Sequence, residues 1–295
     1  MQRAGISHPR DLPLGPVSIN SGTAECLVDR DYTSRVTLQV NGVPSSCIDL
    51  DDPGFLAFEY MQQMDAVIDK LLEPGPITAL HLGAAACALA RCWDSTRPGS
   101  RQVAIDIDAS LTQLVRQWFD LPRSPQLRLR AQDAVETLQQ AKAHMFDVIV
   151  RDVFAADTTP PALTTNRAAQ QAHTALRPGG IYLLNCADRP PLTLARRELA
   201  TLAQAFTSHD SALPAEARDP IAAGRLALIC EPAVLKGRRY GNLVLVAIKA
   251  AHEQTPDASA ATLERALRSL PVPVHILTGE ALRRFIGTAS VLEAA

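Results

Sequence analysis

A strand is followed by a helix within ITALHLGAAACALARCWD, residues 77–94. The apolar run Ile77–Leu82 predicts a short buried strand, and Ala84–Asp94 is typical of a helix. Gly83 and the small residues after it, Ala85 among them, let backbone N–H groups approach a ligand closely at a helix N-terminus. The turn therefore predicts a ligand-binding loop, although small residues that merely pack a tight turn would give the same pattern.

Alternating strand and helix patterns continue along the chain. Further strands are predicted at Gln102–Ile107, Leu127–Ala131, Phe146–Arg151, Ile181–Asn185, Arg225–Cys230 and Asn242–Ala247, with helices at Ala109–Phe119, Ala134–Ala141, Asn166–Leu176 and Leu192–Phe206. Units of this length predict an α/β fold with a doubly wound, mostly parallel sheet and helices on both faces. In such sheets, ligands bind beyond the carboxyl ends of the strands.

The region before this domain has a different pattern. Val17–Leu50 contains short β-rich runs, and Asn41-Gly42 between two of them is a strong hairpin signal, because a type I′ turn needs positive φ twice. Asp52 and Pro53 suit the N-cap and the first position of a helix. We expect an N-terminal antiparallel β-module at 1–52, the main α/β domain at 53–250, and a helical extension at 251–295 packed on that domain.

Composition excludes several classes of protein. The 295 residues have a formal net charge of −2, which provides no broad basic field for a nucleic acid. No apolar stretch reaches the roughly 18 to 20 residues of a membrane span, and the first residues lack the apolar region of a secretory signal. The six cysteines are scattered in apolar surroundings, which favours free core thiols over disulfides or metal ligands. We therefore expect a cytoplasmic protein without a bound metal.

Acidic residues follow the second and third strands of the α/β pattern. Asp106 lies 23 positions after Gly83 and suits hydrogen bonding to the hydroxyls of a ribose. An N-cap of the next helix is the alternative role, and Asp108 fits that role better. Asp133 suits an adenine amino group or the N-cap of the helix that starts at Ala134, and both roles are compatible.

Two further acids follow the fourth strand. Asp152 comes directly after the run that ends at Arg151, and Asp157 lies on the following loop. Two carboxylates over a nucleoside pocket would suit a cationic amine, which they could orient and deprotonate. A loop acid that caps a helix is the alternative.

Four stretches together resemble one known family. They are Phe146–Asp157, in which a strand ends at an acid and a second acid follows shortly, Leu176–Asn185 with its Arg-Pro-Gly-Gly turn, Phe58–Met61, and Tyr240–Val244. The chain, from about residue 20 to 250, resembles the spermidine synthase family of aminopropyltransferases, and more closely its bacterial spermidine synthase-like branch.

The resemblance implies a fold and a reaction. The fold is a class I methyltransferase-like (Rossmann-like) sheet preceded by a small antiparallel β-module, in a homodimer. The reaction is transfer of an aminopropyl group from decarboxylated S-adenosylmethionine to putrescine, which leaves methylthioadenosine. The residues that would bind the donor nucleoside are Gly83, Ala85, Asp106, Ile107, Asp133 and Ala134. Asp152 would be the catalytic acid that handles the amine, with Asp157 on a gate loop and Tyr60 beside the substrate.

Two departures from the family keep other functions open. The family's Gly-Gly-Gly-Asp-Gly loop is Gly83-Ala84-Ala85-Ala86-Cys87 in this chain, so its acid is replaced by Ala86. The Gln that follows the family's Asp-Gly turn is also not evident. An S-adenosylmethionine-dependent methyltransferase and a non-catalytic nucleotide-binding protein remain alternatives. An NAD-binding domain is disfavoured, because the spaced Gly-x-Gly-x-x-Gly is missing.

Overall fold

The N-terminal β-module is a four-stranded antiparallel sheet. A computed structural model of the protein describes residues 11–155, 158–208, 211–251 and 255–293. The four strands pair in chain order and are β1 (Val17–Ile19), β2 (Gly22–Val28), β3 (Arg35–Val40) and β4 (Val43–Asp49). Asn41 and Gly42 join β3 to β4 with φ values of 53° and 77°. The predicted hairpin is confirmed, and β1 lies at the start of the β-rich region Val17–Leu50.

Helix α1 (Glu59–Leu71) begins later than the sequence predicts. The carboxylate Oδ1 of Asp52 accepts the Gly54 N–H at 2.8 Å, and the Asp52 carbonyl accepts the Phe55 N–H at 3.3 Å. These bonds close a local turn instead of capping a helix. The predicted helix start at Asp52 and Pro53 is therefore wrong, because the side chain that could cap a helix is used in an Asx turn.

The chain divides into two compact units. Unit 1 is Met1–Met61 with Gly75–Ala134, and unit 2 is Gln62–Pro74 with Val135–Ala295. After the β-module, unit 1 contains β5 (Thr78–Leu82), α2 (Ala88–Thr96), β6 (Arg101–Asp106), α3 (Ala109–Trp118) and β7 (Leu127–Ala131). Strand β6 pairs in parallel with β5 on one side and β7 on the other. The carboxyl ends of these strands therefore lie at one edge, where the sequence predicts a ligand.

Unit 2 contains the remaining elements. They are α4 (Ala134–Gln140, which starts at the last residue of unit 1), β8 (Phe146–Arg151), α5 (Asn166–Ala175), β9 (Leu176–Asp188), α6 (Thr193–Ala205), α7 (Ala215–Arg218), β10 (Leu226–Cys230), α8 (Pro232–Leu235), β11 (Gly241–Ile248), α9 (Ala261–Arg268), β12 (His275–Leu277) and α10 (Gly279–Ile286). Alternating strands and helices confirm the predicted α/β class.

The strand directions of unit 2 differ from the sequence prediction. Strands β8 and β9 are parallel, whereas β11 pairs antiparallel with both β9 and β10, and β10 pairs antiparallel with β12. The link between β10 and β11 contains only the four-residue helix α8. So short a link suits antiparallel neighbours, because a parallel pair needs a crossover of a dozen or more residues. The expectation of a mostly parallel sheet is therefore wrong for these strands.

All six cysteines are buried and free, as predicted. Within the ranges that the structure describes, every helix is too short or too polar to cross a membrane.

The buried His81 makes the stability of the protein depend on pH. Its ring lies 5.3 Å from the Trp93 ring and shares a 2.9 Å hydrogen bond with Gln102. Burial lowers the pKa of His81 to about 4, against 6.5 for a free imidazole, while the bond to Gln102 acts in the opposite direction. As the pH falls from 6.5 to about 4, His81 binds a proton in the unfolded chain but not in the native state, so the native state loses stability.

We expect this loss to be about 3 kcal/mol across that interval. Urea unfolding at several pH values would measure it, with His81→Gln as the comparison, because glutamine can still donate to Gln102. The pH profile of the variant should be flatter than that of the wild type. Parallel profiles would show that His81 is not the residue responsible.

Candidate functional site

The loop of residues 83–87 follows β5 and has an unusual backbone. Gly83, Ala85 and Cys87 have φ values of 86°, 41° and 59°. A non-glycine residue in this region costs roughly 1–3 kcal/mol, and such residues cluster at functional sites. The Gly83 N–H donates to the Ile105 carbonyl at 3.0 Å, and the Ala85 N–H donates to Oδ2 of Asp106 at 3.3 Å. The end of β6 therefore fixes the shape of this loop.

Helix α2 begins at Ala88, and its predicted start at Ala84 is wrong. The left-handed Cys87 precedes the first helical residue, so the loop is longer than the sequence pattern indicates. Ala86 is fully buried in it. Burial raises the pKa of the Cys87 thiol to about 12, which keeps the thiol protonated and unreactive.

Asp106 ends β6, and its carboxylate accepts a hydrogen bond from the loop of residues 83–87. Its Oδ1 accepts the Asp108 N–H at 3.0 Å, in addition to the Ala85 contact at Oδ2. Burial raises the pKa of Asp106, while the donated backbone bonds oppose that shift. A half-buried carboxylate with unused lone pairs can accept hydrogen bonds from a pair of hydroxyl groups.

Asp108 is the N-cap of α3, as predicted, and accepts the Leu111 N–H at 2.8 Å. Ile107 lies between the two acids and is 71% exposed, which is unusual for so large an apolar side chain.

Asp133 and Ala134 lie close along the same edge of unit 1. Asp106 pairs with Ala131 in the sheet, and the Gln132 N–H donates to the Asp106 carbonyl at 2.9 Å. The residues that follow β7 are thereby tied to the end of β6. The structure brings Gly83, Ala85, Asp106, Ile107, Asp133 and Ala134 to neighbouring strand ends of unit 1. Their ligand-binding roles stay predictions.

In unit 2, Asp152 directly follows β8. The Asn185 side-chain amide donates to Oδ1 of Asp152 at 2.9 Å. The preceding Arg151 is fully buried, pairs with Glu198 at 2.7 Å and donates to the Asn185 carbonyl at 3.4 Å. Breaking a buried ion pair is strongly destabilising, because it leaves one charge without its partner, so this pair anchors Arg151. Arg151 contacts the Asn185 backbone, and the Asn185 amide holds the Asp152 carboxylate.

The sequence pattern does not predict the hydrogen bond between Asn185 and Asp152. Asn185 is only 2% exposed, and its Oδ1 has no hydrogen-bond partner in the described part of the chain. The sequence placed it at the end of a predicted strand and of the stretch Leu176–Asn185, with no role in the site. The single available signal was a polar residue at the end of the apolar run Ile181–Leu184.

Tyr60 and Asp157 are the two predicted site residues that remain. Tyr60 lies in the first turn of α1, is 8% exposed, and has its ring 5.9 Å from that of Phe58. Asp157 lies outside the described residues. Across the described ranges, no three His, Cys, Asp or Glu residues form a cluster that could hold a metal ion.

A cavity of about 470 Å³ in unit 1 contains none of the predicted site residues. Arg116, Arg123, Arg128 and Arg130 line it beside β7. Arg116 donates to the carbonyls of Leu121 and Leu127, at 3.4 and 2.7 Å, and so braces the loop before β7. Arginines along a strand also discourage other strands from pairing with it. Arg116 therefore has a structural role beside this cavity.

Comparison with known proteins finds relatives among polyamine-forming transferases. No protein-family model matches the chain. A probable spermidine synthase from Corynebacterium glutamicum has a crystal structure with a TM-score of 0.83 and 32% sequence identity, over 96% of this chain and 98% of that chain. A polyamine aminopropyltransferase from Neisseria meningitidis is 28% identical over 169 residues, which is 56% of this chain and 62% of that protein.

Methyltransferases form a second group of relatives. The eEF1A lysine and N-terminal methyltransferase of Bos taurus is 28% identical over 154 residues, which is 47% of this chain but only 22% of that protein. Human methyltransferase-like protein 13, crystallised with SAH, has a TM-score of 0.53 and 24% identity over 72% of this chain and 93% of that chain. The 24% identity with the human protein shows the fold alone. The predicted class I methyltransferase-like fold is confirmed.

Proposed function

Because the chain belongs to the spermidine synthase-like family, we propose that it transfers an aminopropyl group from decarboxylated S-adenosylmethionine to putrescine or a related amine. The observation that carries the proposal is 32% identity over 98% of the length of a probable spermidine synthase. We name putrescine as the acceptor because it is the substrate that the family resemblance implies. A homodimer in the cytoplasm and a role in polyamine biosynthesis belong to the same proposal.

The reaction divides between a nucleoside site and an amine site. Asp106 would accept hydrogen bonds from the ribose hydroxyls, with Ile107, Asp133 and Ala134 around the adenine. The polar edge of unit 1 supports this assignment, because backbone N–H groups, those of Ala85 and Asp108 among them, fix Asp106, and its carboxylate can still accept a hydrogen bond. A nucleoside held in this way brings its sulfonium to one defined place.

The chemical step is a displacement at carbon. The neutral amine nitrogen attacks the aminopropyl carbon next to the sulfonium, and the C–S bond breaks with its electrons going to sulfur. Methylthioadenosine leaves as a neutral product, and the new ammonium loses a proton. Asp152 would orient the amine and accept that proton, and Asn185 would hold the carboxylate in place through its 2.9 Å hydrogen bond.

Methyl transfer from S-adenosylmethionine is the second candidate. The specific observation in its favour is the buried Ala86, at the position where the family has an acid. A carboxylate there would attract the amine of the donor tail and repel the carboxylate that only intact S-adenosylmethionine carries. The likeness to proteins named as methyltransferases agrees with this alternative.

A thermal-shift comparison distinguishes these functions. The purified protein is heated with methylthioadenosine, S-adenosylmethionine or decarboxylated S-adenosylmethionine, all at the same concentration. A ligand that binds only the native state adds about 2.7 kcal/mol of stability at a hundredfold excess over its dissociation constant, and a ligand that binds more weakly adds less. We expect the decarboxylated donor to stabilise the protein most, and spermidine to form when putrescine is added.

Other outcomes would contradict aminopropyl transfer. Preference for intact S-adenosylmethionine, with labelled methyl transfer to a component of a cell extract, would favour the methyltransferase. No stabilisation by any of the three ligands would favour a non-catalytic protein.

A further inference from the structure

The turn between β1 and β2 contacts the loop that follows β6, within unit 1. The backbone N–H and the hydroxyl of Ser21 both donate to Oδ2 of Asp108, at 2.6 and 2.7 Å. The neighbouring Asn20 accepts the Ser110 N–H at 2.9 Å with its side-chain oxygen. The β-module is therefore joined to the first turn of α3 by three hydrogen bonds from two adjacent residues.

Asp108 uses both of its carboxylate oxygens. Oδ1 accepts the Leu111 N–H at 2.8 Å, which is the whole requirement of an N-cap. Oδ2 is bound by Ser21, and the backbone N–H of Asp108 donates to Oδ1 of Asp106 at 3.0 Å. Burial alone would raise the pKa of Asp108, yet the donors around it lower that pKa, so the residue stays a carboxylate. The role of N-cap requires only Oδ1, so it does not account for the two hydrogen bonds that Oδ2 accepts from Ser21.

The turn that presents Ser21 is itself rigid. The Asn41 side-chain amide donates to the Ser21 carbonyl at 3.0 Å, and its oxygen accepts the Thr23 N–H at 2.9 Å. Gly22 has a φ of 137°, and a Cβ there would lie 1.9 Å from Oδ1 of Asn41. The hydrogen bonds of Asn41 within the β-module therefore hold the backbone of Ser21 in place.

These contacts form a continuous path from the β-module to the proposed ribose ligand. Ser21 holds the side chain of Asp108, and the backbone of Asp108 holds the carboxylate of Asp106. Groups behind a ligand-binding side chain commonly set its orientation, and their loss weakens binding without removing a direct contact. We propose that Ser21 is a positioning residue, which holds Asp106 through Asp108 in the orientation that binds the ribose hydroxyls. This inference rests on the proposed nucleoside site.

The test combines a protein variant with a ligand variant. Titration calorimetry measures the binding of methylthioadenosine and of 2′,3′-dideoxy-5′-methylthioadenosine to the wild type and to Ser21→Ala. Ser21 is exposed, so the change leaves no cavity. We expect Ser21→Ala to weaken methylthioadenosine binding by about threefold to tenfold, which is less than the loss of a direct hydrogen bond to a charged group, because the backbone N–H at position 21 still donates to Oδ2 of Asp108. Binding of the dideoxy ligand should change less than about twofold, because it has no hydroxyl for Asp106.

Two further variants separate positioning from a general loss of structure. Ser21→Thr keeps the hydroxyl and should restore wild-type affinity. Ser45→Ala removes a hydroxyl of the same β-module that donates only to the Val43 carbonyl, and should change neither ligand. Equal weakening of both ligands by Ser21→Ala, or no weakening, would overturn the inference while leaving the nucleoside site intact. If the wild type binds neither ligand, the proposed function fails and the inference fails with it.

Discussion

Asp106→Asn is expected to weaken methylthioadenosine binding about 100-fold. Each hydrogen bond from a ribose hydroxyl to a carboxylate contributes about 1.5–3 kcal/mol, and the amide keeps only one acceptor oxygen. The new NH₂ group would also face the N–H of Ala85 or Asp108, each of which now donates to a carboxylate oxygen. The affinity should therefore fall while the side-chain volume stays the same. Titration calorimetry with the purified variant measures the change.

Asp94→Asn is the matched control for this substitution. Asp94 is an acid of α2 in the same unit, and burial also raises its pKa. It makes none of the hydrogen bonds that fix the loop of residues 83–87. We expect its affinity for methylthioadenosine to match the wild type within about twofold. Equal affinities of wild type and Asp106→Asn would show that the ribose is bound elsewhere.

Local features of the fold could be predicted where one short stretch contains the whole cause. Asn41-Gly42 predicts its hairpin, because the need for positive φ is met by the two residues themselves. Asp108 predicts its cap for the same reason, since the helix begins at the next residue. Asp52 gives a wrong prediction, because an Asx turn and an N-cap begin with the same residue type.

Other features depend on residues far away in sequence. The left-handed Ala85 and Cys87 have no local signal, because neither is glycine, and the loop is fixed from outside by Asp106. The bond between Asn185 and Asp152 spans 33 positions, and that between Ser21 and Asp108 spans 87. A single sequence predicts which residues end strands, but it does not predict which side chains meet there.

The replacement of the family's acid by Ala86 bears on substrate choice more than on fold. Ala86 is fully buried in a loop that is held by the bond from the Gly83 N–H to the Ile105 carbonyl and by the bond from the Ala85 N–H to Asp106. Neither bond involves the side chain at position 86, so the proposed nucleoside site and the recognition of the donor tail are separable. Binding of methylthioadenosine, which has no charged tail, therefore tests the nucleoside site independently of the donor question.

Asp152→Asn is expected to lower kcat of the proposed aminopropyl transfer by about 10²- to 10⁴-fold, the range typical of a lost general base. The amide can still accept the hydrogen bond from Asn185, so the side chain keeps its position. It can neither neutralise a cationic amine nor take up its proton. Methylthioadenosine binding should stay within about twofold of the wild type, because Asp152 has no assigned contact with the nucleoside. Spermidine formation, measured by mass spectrometry, gives the rate.

Asp147→Asn, on the strand that precedes Asp152, is the matched control, because it removes a nearby acid that has no proposed catalytic role. Asp147 pairs with Arg177 at 2.7 Å on the surface, where an ion pair contributes at most about 1 kcal/mol to stability. Its kcat should match the wild type. An Asp152→Asn variant with wild-type turnover would remove this carboxylate from the mechanism, and the proton would then leave to water or to another group. Loss of turnover together with loss of methylthioadenosine binding would instead indicate a role in holding the nucleoside.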